Sequence, residues 1–140
     1  MADDVALLVA DVFELAGLLR RTGEAVAAQE GQTQARWQLL SVLSEEPLTV
    51  PQAARRLGIT RQGVQRVVND LVAAGLVEFA DNPDHRTSPL AQLTAPGRRI
   101  LVAITEQAAH ENRRLADALG STSLRATHDG VRRLIAALKS

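Results

Sequence analysis

Gln62, Gln65, Arg66 and Asn69 stand at i, i+3, i+4 and i+7, the spacing that lines side chains along one face of an α-helix. Arg hydrogen-bonds bidentately to guanine, and Gln and Asn do the same with adenine, so the stripe has the chemistry of base reading in a DNA major groove. Thr60 and Arg61 lead into it, and no carboxylate appears until Asp70. An ordinary solvated helix face mixes in Glu, which phosphate repels. A second candidate is Asp84-His85-Arg86-Thr87-Ser88, where Arg86 can reach a minor groove or a phosphate and Asp84 can hold its guanidinium in place. Each group also has a plain reading: a polar solvent face, and an acid and a base meeting in an exposed turn. The elements that carry them decide between the two.

The stripe needs a helix, a turn before it and a support beside it. Residues 50–58 read as a short helix, with Pro51 suited to its first turn and Gly58 to the position after its end. Thr60 is a good N-cap for the next helix, in which Val64, Val67, Val68, Leu71 and Val72 can turn inward. After Gly75, residues 76–80 read as extended, Asp81-Asn82-Pro83-Asp84 as a turn, and residues 89–93 as a second extended piece. A helix, a tight turn, a second helix and a hairpin in that order make a winged helix-turn-helix, whose second helix enters the major groove.

Upstream, Val5, Leu8, Val12, Leu15 and Leu19 form one stripe of a long amphipathic helix that ends near Gly31. Thr33 caps a second helix carrying Trp37, Leu40, Val42 and Leu43, which Glu45, Glu46 and Pro47 stop, and Leu48-Thr49-Val50 follows as a short extended piece. Downstream, a long helix starts at Ala95 with Pro96 in its first turn and runs to about Leu119. A last helix, 124–138, follows a break at Gly120-Ser121-Thr122-Ser123. The expected fold is mainly α with a small β-hairpin wing: one domain over 1–140, with a winged helix-turn-helix at 33–95 and helices on either side.

Composition narrows the function classes. Aromatic residues are limited to Phe13, Trp37 and Phe79, and the aliphatic remainder favours helices. Cysteine is absent, which excludes a disulfide framework, a thiolate metal site and a sensor working by cysteine oxidation. The start of the chain lacks a basic leader and no apolar run is long enough to span a bilayer, so a cytoplasmic location with no membrane partner is expected. Net charge is zero, but residues 1–48 carry net −5 and residues 49–99 net +3, a segregation compatible with one polyanion-facing surface. Against an enzyme, His85, His110 and His128 are far apart, and no HExxH, Gly-rich phosphate loop or nucleophile elbow is present. His110 with Glu111, or His128 with Asp129, lacks a paired His or Cys at ligand spacing, so neither a metal nor a cofactor is expected. A winged-helix module that binds protein would show an apolar or acidic face on its second helix, which the Arg and Gln stripe speaks against. A protein that coats or bends DNA without reading an operator stays open.

Residues 59–77, then Asp81-Asn82-Pro83-Asp84-His85-Arg86, then Leu93-Thr94-Ala95-Pro96-Gly97 resemble the signature of the MarR (multiple antibiotic resistance regulator) family, and the likeness extends to the layout of the whole chain. The resemblance implies a homodimeric transcription regulator, most often a repressor, that binds double-stranded promoter DNA. It implies dimerisation through residues 1–31 and 96–140, Thr60 to Asn69 in the major groove, and Arg86 at the wing tip. It also implies release by a small, often phenolic, effector, here in a cleft near Trp37 and the first helix. The chain departs from the family pattern at Thr87, Pro89 and Gln92, where basic residues are common, so its wing has fewer charges for phosphate. Gly63 inside the second helix is costly relative to Ala and points to close packing or close backbone approach.

Overall fold

Local capping chemistry sets most of the element boundaries. The protein is described by a computed structural model covering residues 2–140; Met1, the first residue of the segment 1–31, lies outside the described residues. The order is α1 (Ala2–Ala28), α2 (Gln34–Glu45), α3 (Val50–Leu57), α4 (Arg61–Ala73), β1 (Val77–Ala80), β2 (Leu90–Leu93), α5 (Ala95–Leu119) and α6 (Ser121–Lys139). Thr33 caps α2 by accepting from the Arg36 N–H at 3.1 Å. Thr49 and Gln52 form a reciprocal capping box at the start of α3, with Pro51 in its first turn. Gly58 ends α3 in the left-handed region at φ 69°, where a Cβ is disfavoured.

The chain folds into two compact units that divide between Thr105 and Glu106, within α5. In the first, Leu39, Leu40 and Leu43 of α2 meet Ala53 and Ala54 of α3, Val64, Val68 and Leu71 of α4, and Val77, Ala91 and Leu93 of the hairpin. Burying each Leu or Val contributes roughly 1.5–3 kcal/mol, so this cluster holds α4 and the hairpin against one scaffold. β1 and β2 pair antiparallel with Val77 opposite Leu93 and Phe79 opposite Ala91. Leu48 adds a single bridge to Ala91 on the other edge of β2, with N–H to O distances of 3.1 and 2.7 Å. The expected extended piece at 48–50 is therefore shorter: Val50 is already helical, because Thr49 caps and Pro51 favours a first turn. Val72, expected inward, is 38% exposed, one position past the core-facing arc that Leu71 completes.

One joint fixes α5 to the end of α4. The Thr94 hydroxyl donates to the Gly75 carbonyl at 2.7 Å and accepts from the Gly97 N–H at 3.1 Å, while the Thr94 N–H bonds Leu76 O. Gly97 lies so close to this strand that a Cβ on it would stand 2.0 Å from the Leu76 carbonyl oxygen. At the far end α6 begins at Ser121, three residues before the expected start, because Gly120 at φ 80° makes the whole break. α1 packs on α2, and Val26 and Ala27 near its end are buried, yet Val5, Leu8, Val12, Leu15 and Leu19 all stay exposed. The rest of the first unit therefore leaves the stripe uncovered. Within the second unit, α6 has no buried residue, and Leu115, Leu119, Leu124, Val131 and Leu138 are exposed.

Candidate nucleic-acid interface

Thr60 begins α4 by accepting from the Gly63 N–H at 3.0 Å, which leaves its hydroxyl proton to donate outward. A Cβ at position 63 would lie 3.1 Å from that hydroxyl oxygen, so Gly63 gives the capping threonine room at some cost in helix propensity. Along α4, Val64, Val68 and Leu71 are buried with Val67 packed beside them, and Arg61, Gln62, Gln65, Arg66 and Asn69 are exposed. The polar stripe is thus a free surface opposite the face that anchors the helix. Within it, Gln65 Nε2 donates to Asn69 Oδ1 at 2.9 Å. Asp70 borders the stripe, and the Arg36 guanidinium reaches it from α2 at 3.4 Å. Both side chains are partly exposed, so the pair adds little stability, but a cation does accompany the acid that borders the stripe.

The wing tip is organised by a residue that the sequence reading treated only as part of a turn. Asn82 Nδ2 donates to Ser88 O at 3.0 Å, and Asn82 Oδ1 accepts from the Asp84 N–H at 3.1 Å, closing the loop across its base and along its first limb. The signal was present as Asn-Pro, a dipeptide whose amide bonds its own backbone two residues on. His85 Nδ1 lies 3.0 Å from the Thr87 hydroxyl. Arg86 is exposed at the tip. The expected contact between Asp84 and Arg86 is not formed: no ion pair among the described residues joins them. With Asn82 holding the Asp84 backbone, the loop takes its shape from amide hydrogen bonds, without an acid and base clasp.

Between α4 and the wing runs an open cleft of about 470 Å³, with Arg61, Gln62 and Gln65 on one wall, Thr87, Ser88 and Pro89 on the other, and Val50, Pro51 and Phe79 between them. Phe79 is 42% exposed, an aromatic ring facing solvent where the hairpin meets the helix. A smaller apolar cleft of about 370 Å³ lies along α2, lined by Gln34, Trp37, Gln38, Ser41, Val42 and Leu57 of α3. It includes Trp37 as expected, but among the described residues none of α1 lines it. No helix among the described residues is long and apolar enough to cross a membrane.

The profile of the MarR family matches residues 31–86. An uncharacterised protein of Mycobacterium tuberculosis, and another of Mycobacterium bovis, are each 69% identical over 140 residues, covering 100% of this chain and 98% of the relative. Among solved structures, a MarR family transcription regulator superposes with a TM-score of 0.89 at 27% identity, over 99% of this chain and 94% of the other. A MarR family transcriptional regulator from Streptomyces coelicolor gives 0.83 at 23% identity, over 96% and 95% of the two chains. A MarR family protein from Bacillus stearothermophilus gives 0.84 at 18% identity, over 100% and 99%. The last two are likenesses of fold.

Proposed function

The chain belongs to the MarR family of transcription regulators, whose members bind DNA and act as dimers, and from that premise we propose that it is a homodimeric, sequence-specific repressor of transcription. Each subunit inserts Thr60 to Asn69 into a major groove. Arg86 reaches the flanking minor groove or its phosphates, and the cleft between α4 and the wing spans the intervening sugar-phosphate strand, with Arg61 on its wall. The observation that carries this reading is the exposed stripe of Gln62, Gln65, Arg66 and Asn69, held rigidly by Val64, Val68 and Leu71 on the opposite face of one helix. Two such helices in a symmetric dimer match a palindrome with half-sites about one helical turn apart. Bound at a promoter in the cytoplasm, the dimer blocks polymerase.

The dimer forms through the segments 1–31 and 96–140. A helix with one long exposed apolar stripe needs a partner, and α1 exposes Val5, Leu8, Val12, Leu15 and Leu19 on such a stripe, with Phe13 beside it 73% exposed. A small aromatic effector binds at the cleft beside Trp37 and releases the DNA. Trp37 is the only tryptophan, so its fluorescence reports that event directly. Titration with salicylate-like phenols is expected to shift Trp37 emission and lower DNA affinity together; a fluorescence change with unaltered DNA binding would separate the cleft from regulation.

The deciding experiment is fluorescence-anisotropy binding of the purified protein to a duplex from upstream of its own gene, against a scrambled duplex, over a range of salt. Tight, salt-sensitive binding to the first duplex alone is the expected result. Equal binding to both would make the protein a DNA-coating factor. No binding even at low salt would make the exposed face of α4 a protein-docking surface.

A further inference from the structure

Gln65 and Asn69 are hydrogen-bonded to each other one helical turn apart on the exposed face of α4, Nε2 of the first donating to Oδ1 of the second at 2.9 Å. Among the described residues, Gln62 and Arg66 make no such side-chain bond, so the stripe contains one ordered pair and two free readers. The bond has opposite consequences for its two members. Bidentate reading of adenine needs an acceptor aimed at N6–H and a donor aimed at N7. Asn69 has its oxygen aimed at Gln65, away from that task. Gln65 gives one of its two Nε2 hydrogens and keeps the other together with Oε1, which is the complete adenine-reading set. Tethering also removes rotamer freedom from a long side chain before DNA arrives, which lowers the entropy lost on binding.

We propose that Gln65 and Asn69 work as one unit reading a single A·T base pair in each half-site, with Gln65 contacting adenine and Asn69 as the positioning residue that aims it. The proposal rests on α4 being the groove-entering helix. Asn69, at the far end of the stripe, has no separate base to read.

The test is selection of bound duplexes from a random pool by the full-length protein, wild type and variant, followed by affinity measurement on single-base variants of the selected site. Gln65→Ala is expected to reduce the preference for adenine at one position by about 5- to 150-fold. Asn69→Ala is expected to weaken the same position at least about twofold and leave the others unchanged, and the double variant to be no worse than Gln65→Ala. Relaxation of a different base by Asn69→Ala, additive with Gln65→Ala, would make Asn69 an independent reader and overturn the proposal. A Gln65-dependent position that selects guanine would also overturn it, because guanine offers two acceptors and Gln65, with one Nε2 hydrogen given to Asn69, has a single donor left. Failure of the underlying reading looks different: Gln65→Ala, Asn69→Ala and Arg66→Ala would all leave the selected sequence and the affinity unchanged. All three sites are exposed on a helix, and unchanged thermal melting would show that the variants fold.

Discussion

Arg66 and Arg86 are both exposed arginines, but they meet different parts of the duplex in the proposed complex, and their replacement separates two kinds of contact. Arg66→Ala removes a candidate guanine reader. It is expected to cost about 1–3 kcal/mol on the preferred duplex and to relax one base position; equal loss on every sequence would reassign it to phosphate. Arg86→Ala is expected to weaken binding to all duplexes and lower the slope of log K against log salt by about 1, measured by anisotropy over a salt series. An unchanged slope and affinity would remove the wing from the interface. Arg36 and Asn82 serve the site without belonging to the reading stripe, one beside Asp70 and the other through the wing-loop hydrogen bonds. The role of Arg36 is not local in sequence, and that of Asn82 is local only at its bond from the Asp84 N–H. Arg36 and Asp70 are brought together by the packing of α2 on α4, and Asn82 acts through the carbonyl of Ser88, six positions on, after the loop has turned.

At the scale of elements, the turn from α3 into α4 was legible because each signal acts within four residues. Gly58 and Thr60 both bond backbone groups that close by, whereas the Thr49 box at the start of α3 was hidden in a piece expected to be extended. The joint between α4, the hairpin and α5 was not legible in the same way. Along the sequence Gly97 is only one residue of a motif, and its reason is the Leu76 carbonyl lying against it. Gly97→Ala is therefore expected to destabilise the fold by about 3 kcal/mol through a backbone shift, lowering the melting temperature by roughly 10 °C in a calorimetric scan. Melting unchanged within a degree or two would mean that α5 can move off the strand at no cost. The late expected start of α6 has a related origin: Ser121 to Ser123 read as a loop by composition, but one left-handed glycine completes the turn and frees all three to be helical.

At the scale of the whole molecule, the exposed apolar stripe of α1 is the surface on which the proposed dimer depends. Deleting residues 1–20 removes the exposed stripe of α1 and is expected to abolish the dimer, giving monomer or aggregate by light scattering. A folded, monodisperse dimer of the truncated chain would place the subunit interface elsewhere. Charge also acts at this scale. The net −5 of residues 1–48 is cancelled by the net +3 of residues 49–99 and the net +2 of residues 100–140, so the zero net charge says nothing against a nucleic-acid ligand.

Capping residues, apolar spacing and the glycines made the order and type of every element readable along the chain, because those forces act between neighbours. They also made the polar stripe of α4 readable, since helical periodicity alone sets which residues share a face. The tertiary structure alone decided that Asp70 has Arg36 beside it, that Gly97 abuts Leu76, that the wing loop is held by Asn82 without an Asp84 clasp, and that α1 stays uncovered. The Asp70 and Gly97 contacts depend on distances between segments remote in sequence, which buried area and backbone hydrogen bonding set for the whole fold.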